Sequence, residues 1–191
     1  KLRSSISVRS FNSLIRHLVM FIVVELLIRQ RMMVYLENAL RRIRSVANYQ
    51  FGKGVGEALF PQNVEIAYSK RTGRIRYVFL NGKRLATLRP LDGLFSLSIE
   101  GARRIVESGV PVKCLVTVKN DVSKFIAEGG DVFAVHVIRA DSEIRPKDEV
   151  IVVNEKGEVL AVGKAVLSGE EMTAFKVGVA VKVRRGSMEE G

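Results

Sequence analysis

Residues 144–165 read Ile144-Arg-Pro-Lys-Asp-Glu-Val-Ile-Val-Val-Asn-Glu-Lys-Gly-Glu-Val-Leu-Ala-Val-Gly-Lys-Ala165. Two runs rich in β-branched residues, Glu149–Val153 and Val159–Ala165, flank Lys156-Gly157, and that spacing predicts a hairpin. Arg145-Pro-Lys-Asp148 has the residues of a turn feeding the first strand. Working outward, Val112–Val118 is an apolar strand, and Asn120-Asp121 is placed to cap a short helix from Val122 to Glu128 that stops at Gly129-Gly130. Val132–Arg139 follows as one alternating strand. Beyond the hairpin, Ser168-Gly-Glu-Glu171 fits a capping box for one helical turn, and Val177–Val183 supplies a closing strand. Many short strands with one helix after the first predict a small mixed barrel over residues 111–185, leaving 186–191 as a tail.

Upstream of Pro111 the pattern differs. Leu36, Leu40, Ile43 and Ala47 recur at helical spacing, with Arg41, Arg42 and Arg44 off that stripe. Gly52-Lys-Gly-Val-Gly56 lacks the ending and the strand-before, helix-after setting of a phosphate-binding loop, so it is read as a connection. Val64–Ser69, Arg74–Leu80, Lys83–Leu88 and Leu94–Leu97 are β-like, and Asn81-Gly82 is a hairpin turn because both central positions of that turn need positive φ. Ser98 caps a helix that runs through Glu107 and stops at Gly109. Residues 34–110 are thus helix, four strands, helix, and the fold class is α+β.

Residues 1–33 are read as an N-terminal extension. The run Leu18–Ile28 is interrupted by Glu25 and bounded by Arg16 and Arg29, which is too short for a bilayer, and no small-residue cleavage site follows. Two readings stay open: a buried helix, or upstream sequence preceding a true start at Met32 or Met33. Residues 1–32 are expected to pack poorly against the two modules, which an integrated buried helix would contradict.

The formal charge of +11 is unevenly spread. Of 31 Lys and Arg and 20 Asp and Glu, residues 1–110 hold 19 against 7, leaving 12 against 13 from 111 onward. A basic first half favours a polyanion, because Lys and Arg contacts to phosphates release condensed counterions. Arg74, Arg76, Lys83 and Arg84 are the expected phosphate contacts, Arg74 and Arg76 lying on one strand face and Ile75 and Tyr77 on the other, so that the half-buried sheet has a basic outer face. Cys114 is the only cysteine and sits in an apolar run, which excludes an intramolecular disulfide and a multi-cysteine zinc site. No metal and no cofactor is expected. His17 and His136 have no nucleophile beside them, and the carboxylates of Asp148 and Glu149, neighbours on one chain, do not converge.

Gly129-Gly-Asp-Val-Phe-Ala134, Ile144-Arg-Pro-Lys-Asp-Glu-Val150 and Val159-Leu-Ala-Val-Gly-Lys-Ala165 stand in the order and spacing that resembles a PUA domain. Tyr49-Gln-Phe-Gly52, Lys70-Arg-Thr-Gly-Arg-Ile-Arg76, Thr87-Leu-Arg89 and Asp92-Gly93 are similar to the domain preceding PUA in archaeal archaeosine tRNA-guanine transglycosylase. That resemblance implies a pre-PUA module followed by a PUA-type mixed β-barrel. It also implies an archaeal, cytoplasmic, non-catalytic RNA-binding chain that holds the acceptor end of tRNA, with a catalytic transglycosylase chain as partner and neither DNA nor membrane. The catalytic barrel, paired aspartates and Cys/His zinc site of the transglycosylase have no counterpart in these residues. The alternative is a free-standing PUA protein acting on rRNA or in translation. In the barrel, Gly129 and Gly130 are expected to let an RNA backbone approach, Phe133 or His136 to stack on or bond an end base, Phe133 being equally readable as a core residue, and Lys124 and Arg139 to lie exposed.

Overall fold

The computed structural model describes residues 8–189, with side chains described from residue 17. The chain divides after Arg41 into two units. Helix α1, Val8–Phe51, runs through that division. Within the first unit the side chains from His17 to Asn38 are all exposed, the apolar run Leu18–Ile28 among them. Arg29 pairs with Glu25 one turn back, at 3.2 Å, and Asn38 accepts from Arg41 at 2.7 Å. No described helix is long and apolar enough to cross a membrane.

The second unit begins with the last turns of α1, where Ile43, Ala47 and Phe51 are buried at the predicted spacing. The other face of these turns is polar and used: Arg44 donates to the carbonyl of Phe60 at 2.8 Å, and Asn48 accepts from the Gly56 N–H at 2.7 Å. Gly56 begins the contact with α2, Val55–Leu59, and a Cβ there would stand 2.3 Å from the Arg44 carbonyl, so only glycine lets the two helices meet this closely.

Four strands follow as an antiparallel meander: β1 Glu65–Tyr68, β2 Ile75–Leu80, β3 Lys83–Leu88 and β4 Phe95–Leu97. Asn81 and Gly82 both take positive φ in the β2–β3 turn, as the Asn-Gly pair predicts. Gln50 reads the edge of β4, accepting from the Phe95 N–H at 2.7 Å and donating to its carbonyl at 2.9 Å. Phe60 and Phe95 pack beneath with ring centroids 5.1 Å apart. Full burial of each such side chain contributes roughly 1.5–3 kcal/mol. Ser98 caps α3, Ile99–Glu107, accepting from Gly101 N at 3.0 Å.

The barrel is a six-stranded sheet in the order β6-β10-β9-β8-β5-β7. Its strands are β5 Leu115–Val118, β6 Val132–Phe133, β7 Val137–Ala140, β8 Glu149–Val153, β9 Val159–Ala165 and β10 Val179–Gly186. All pairs are antiparallel except β5 with β8. β8 is buried along its whole length and β9 nearly so, around a core that includes Val116, Ile126, Val152, Leu160 and Met172. Helix α4, Ser123–Ala127, and helix α5, Gly169–Ala174, flank it, the latter with the full Ser168–Glu171 capping box.

One expectation fails here. Val132–Arg139 is two short strands joined by a 3-10 turn at Ala134–His136. β6 and β7 are the opposite edges of the sheet, and a straight strand cannot reach both, so the tight turn carries the chain across and nearly closes the barrel.

Meander and barrel are joined through Glu149, whose side chain is fully buried at the start of β8. It accepts from the Leu97 N–H at 2.8 Å and pairs with Arg184 of β10, which also donates to the Leu97 carbonyl at 2.7 Å. Arg89 lies 3.9 Å from its other oxygen. Burial pushes the Glu149 carboxyl up, and Arg184, the Leu97 N–H and Arg89 pull it back. Only the carboxylate is buried, so removing Glu149 leaves an exposed Arg184, an Arg89 still paired with Asp92 and one unpaired Leu97 N–H, which costs about 1–3 kcal/mol. Glu149→Ala is therefore expected to lower the unfolding free energy in urea by about 1–3 kcal/mol. Glu149→Gln, which keeps an acceptor for Leu97, should lose less. A loss below about 1 kcal/mol for the alanine variant would mean that the pair does not hold the modules together.

Candidate nucleic-acid interface

The predicted basic residues of the meander separate once their partners are seen. Lys83 pairs with Glu100 at 3.3 Å, and Arg89 pairs with Asp92 at 2.8 Å besides facing Glu149. Lys70, Arg71 and Arg74 are exposed around the β1–β2 turn, with no ion-pair partner among the described residues. They open onto a groove of about 670 Å³ whose walls include Tyr68, Arg76 and Tyr77. No carboxylate lines it among the described residues.

The outer face of this sheet is not the one expected. Val78 is fully buried, and the period of two puts Arg76 on its side of β2. Tyr77 therefore shares the outward face with Ile75 and Phe79, and is half-buried rather than core. The long Arg76 side chain reaches round, bringing its guanidinium carbon 5.6 Å from the Tyr77 ring centroid, while Arg84 approaches to 6.0 Å. The surface is thus aromatic with a cationic border, where the sequence suggested a plain row of arginines.

In the barrel the predicted residues fall at two places. Lys124 lies exposed on α4, 3.9 Å from Glu128 of its own helix. Gly129 has φ +97° and ends that helix with Gly130. The space above both glycines is already taken: a Cβ on Gly130 would lie 2.2 Å from the Phe125 ring, and one on Gly129 would lie 2.5 Å from the Glu189 carboxylate. The expected opening for an RNA backbone is filled by the chain itself. Asp131 ties the next residues to β10, accepting from Lys182 at 2.7 Å and from the Val183 N–H at 2.9 Å.

Phe133 is 43% exposed on the β6 edge, paired with Val179, so it is not a core residue. His136 lies in the 3-10 turn, its Nδ1 buried without a hydrogen-bond partner and its carbonyl accepting from Lys119 N–H at 3.0 Å. Arg139 is on the β7 edge, opposite Thr117. There it lines a groove of about 330 Å³ with Thr117, Asp141 and Ser142. Burial and the nearby Glu143 push the Asp141 carboxyl up, against the pull of Arg139 and Lys113. The six barrel residues are therefore strung along one segment, from α4 through the 3-10 turn to β7, and not gathered in one pocket.

Cys114 is buried, and burial pushes its thiol far up, with Asp141 and Glu149 adding to the effect, so it remains a protonated small hydrophobe. Among the described residues no group of His, Cys, Asp and Glu is placed to hold a metal ion. The sequence reading missed Phe125, 55% exposed beside the glycine turn, for which helical spacing gave no signal. It also missed Tyr77 as an outward-facing ring.

Comparison with known families agrees with this division. Residues 41–111 match the patch-forming domain C2 of tRNA-guanine transglycosylase, and residues 115–187 match the PUA domain. The chain carries a C2 domain followed by a PUA domain. Over 150 residues it is 50% identical to the tRNA-guanine(15) transglycosylase of Pyrococcus abyssi, covering 78% of this chain and 25% of the relative. This C2–PUA chain thus spans about a quarter of the length of the curated relatives it matches. A hypothetical protein from the hyperthermophilic archaeon Pyrococcus horikoshii superposes with a TM-score of 0.64 at 25% identity, over 79% of this chain and 91% of that one. A conserved PUA domain protein from Thermoplasma acidophilum shares the fold, with a TM-score of 0.58 at 23% identity over 81% and 92% of the two chains.

The glycine turn and the strand beyond it differ in how much substitution they tolerate. A Cβ on Gly186 would meet backbone, the Ala127 carbonyl at 2.2 Å and the Gly129 nitrogen at 2.6 Å, whereas one on Gly130 meets a half-exposed ring free to swing. Gly186→Ala is expected to cost about 1–3 kcal/mol in chemical denaturation. Gly130→Ala should cost clearly less. The reverse order would show that Phe125 is locked and the α4–β10 contact is not.

Proposed function

We propose that this C2–PUA chain is a non-catalytic RNA-binding protein that holds tRNA by its acceptor end and presents it to a catalytic transglycosylase chain in the cytoplasm. The observation that carries this reading is the pairing of the two domains at 50% identity with archaeal enzymes named for acting on tRNA. Physical chemistry supports the division of labour. Lys70, Arg71 and Arg74 are free to neutralise phosphates, and such contacts supply affinity without reading sequence. The nearly neutral barrel supplies shape and exposed side chains, Phe133 at one edge and Arg139 at the other, suited to an end base and its flanking phosphate. Gly129, Gly130 and His136 set the path of the chain between them.

A second reading is a free-standing PUA protein acting on rRNA or in translation. It is favoured by the solved neighbours, which match this architecture over 91% and 92% of their own lengths. Binding titrations against intact tRNA, tRNA trimmed at its acceptor end and an rRNA fragment separate the two. The proposal expects about tenfold or better preference for intact tRNA, lost in Phe133→Ala with the salt slope unchanged and in Arg139→Ala with the slope lowered by about one. Neutralising Arg71 and Arg74 should weaken all three RNAs alike and lower the salt slope by about one for each phosphate no longer neutralised. Equal affinity for intact and trimmed tRNA would overturn the acceptor-end reading, and preference for rRNA would establish the second. The chain incubated with tRNA and free guanine is expected to exchange no base, and exchange by this chain alone would overturn the non-catalytic reading.

A further inference from the structure

Tyr77 stands in the middle of β2 on the outward face, between Ala67 of β1 and Thr87 of β3 in the strand register. Cross-strand neighbours are what normally cover the face of an aromatic ring in a sheet, and here both are small. Phe79 lies next along the same face, with ring centroids 6.1 Å apart. The guanidinium carbons of Arg76 and Arg84 lie over the Tyr77 ring, 5.6 and 6.0 Å from its centroid, within the reach of about 6 Å for a cation on a π-face. Tyr77 also forms a wall of the groove that holds Lys70, Arg71 and Arg74. The face therefore combines a half-buried ring with small lateral neighbours, two planar guanidinium groups over it on which a base can continue the stack, and positive charges without an ion-pair partner among the described residues one turn away.

We propose that this face of the C2 sheet is a stacking platform for an unpaired base of an RNA, with Tyr77 as the platform and Lys70, Arg71 and Arg74 holding the phosphates on either side. The proposal rests on the RNA-binding reading above and specifies its ligand: a single-stranded nucleotide rather than a duplex. A duplex keeps its bases stacked on each other and offers the sheet only phosphates and grooves, whereas an unpaired base has a free π-face for Tyr77 and for the guanidinium planes of Arg76 and Arg84. An acidic peptide would use the cations but leave the ring idle.

The test compares the full chain with Tyr77→Phe, which keeps the ring, and Tyr77→Leu, which keeps apolar volume without it. Anisotropy titrations use an eight-nucleotide single-stranded RNA and a blunt-ended RNA hairpin closed by a non-nucleotide linker, so that it has no unpaired base, at several salt concentrations, with poly-glutamate as competitor and melting curves as a control for folding. Tyr77→Leu is expected to weaken single-strand binding about tenfold with the salt slope unchanged and hairpin binding unaffected, since stacking contributes about 1–3 kcal/mol per base. Tyr77→Phe should bind as the unaltered chain does, and poly-glutamate should compete only through charge, equally against both RNAs. Equal loss for single strand and hairpin in Tyr77→Leu, no loss for either, or selective displacement of the single strand by poly-glutamate would overturn the platform. If the unaltered chain binds tRNA but Tyr77→Leu is silent, only the platform falls. If it binds neither tRNA nor either probe, the RNA-binding reading falls with it. Should Tyr77→Leu melt early, Thr87→Phe, which covers the ring from β3, must produce the same selective loss for the platform to stand.

Discussion

A carboxylate with no access to water sits between the C2 sheet and the PUA barrel, and the relation of the two depends on it. Taking Glu149 out of solvent costs several kcal/mol, which is offset only while the Leu97 N–H, Arg184 and Arg89 remain in place around it. Leu97 is on β4, Arg184 on β10 and Glu149 on β8, so one charge pins the edge of the meander to two strands of the barrel. Gln50 holds β4 from its other side. Apolar contact alone tolerates sliding, whereas a buried charge with directional partners penalises any displacement that opens a hydrogen bond. The basic groove and the barrel edges are thereby presented to a ligand as one body.

Charge follows the same division. The excess of Lys and Arg lies before residue 110, yet in the meander Lys83 and Arg89 are consumed by internal pairs, and Arg44 and Arg104 by carbonyls. Within the meander, what remains for an outside polyanion is the β1–β2 turn and the cations over Tyr77. Net charge gives the class of partner, and the pairing pattern gives the place where it touches.

Much of this was legible in the sequence because local chemistry and tertiary structure agree at those points. Lys83–Leu88, Glu149–Val153 and Val159–Ala165 appear as strands at the expected residues, and Asn81-Gly82, Ser98 and Ser168 do what their side chains and turn geometry dictate. The misses share a cause, which is long-range geometry overriding a correct local pattern. Val132–Arg139 alternates like a strand but must pass from one sheet edge to the other. Arg74-Ile-Arg-Tyr alternates as read, yet burial of Val78 against the core chose the arginine side as inner and turned Tyr77 outward. Gly129-Gly130 signals close approach, and the partner turned out to be Phe125 and Glu189. Glu149 looked like half of an ordinary turn pair, since nothing within a few residues reveals Leu97 or Arg184.

The candidate site was therefore readable by residue type more than by arrangement. Lys124 and Arg139 are exposed as expected, and Phe133, readable as core or as contact, is exposed too, but the three are strung along one stretch of chain and over both edges of the sheet instead of lining one pocket. A ligand that engages both edges and the C2 groove must be large, which fits a folded RNA better than a small molecule. Amide hydrogen exchange of the chain with and without tRNA tests this directly. One RNA spanning a rigid two-domain body predicts slowed exchange in residues 68–77 and in residues 124–139 at the same tRNA concentration, with β8 and β9 unchanged. Slowing confined to one of the two segments, or appearing in them at different tRNA concentrations, would contradict it.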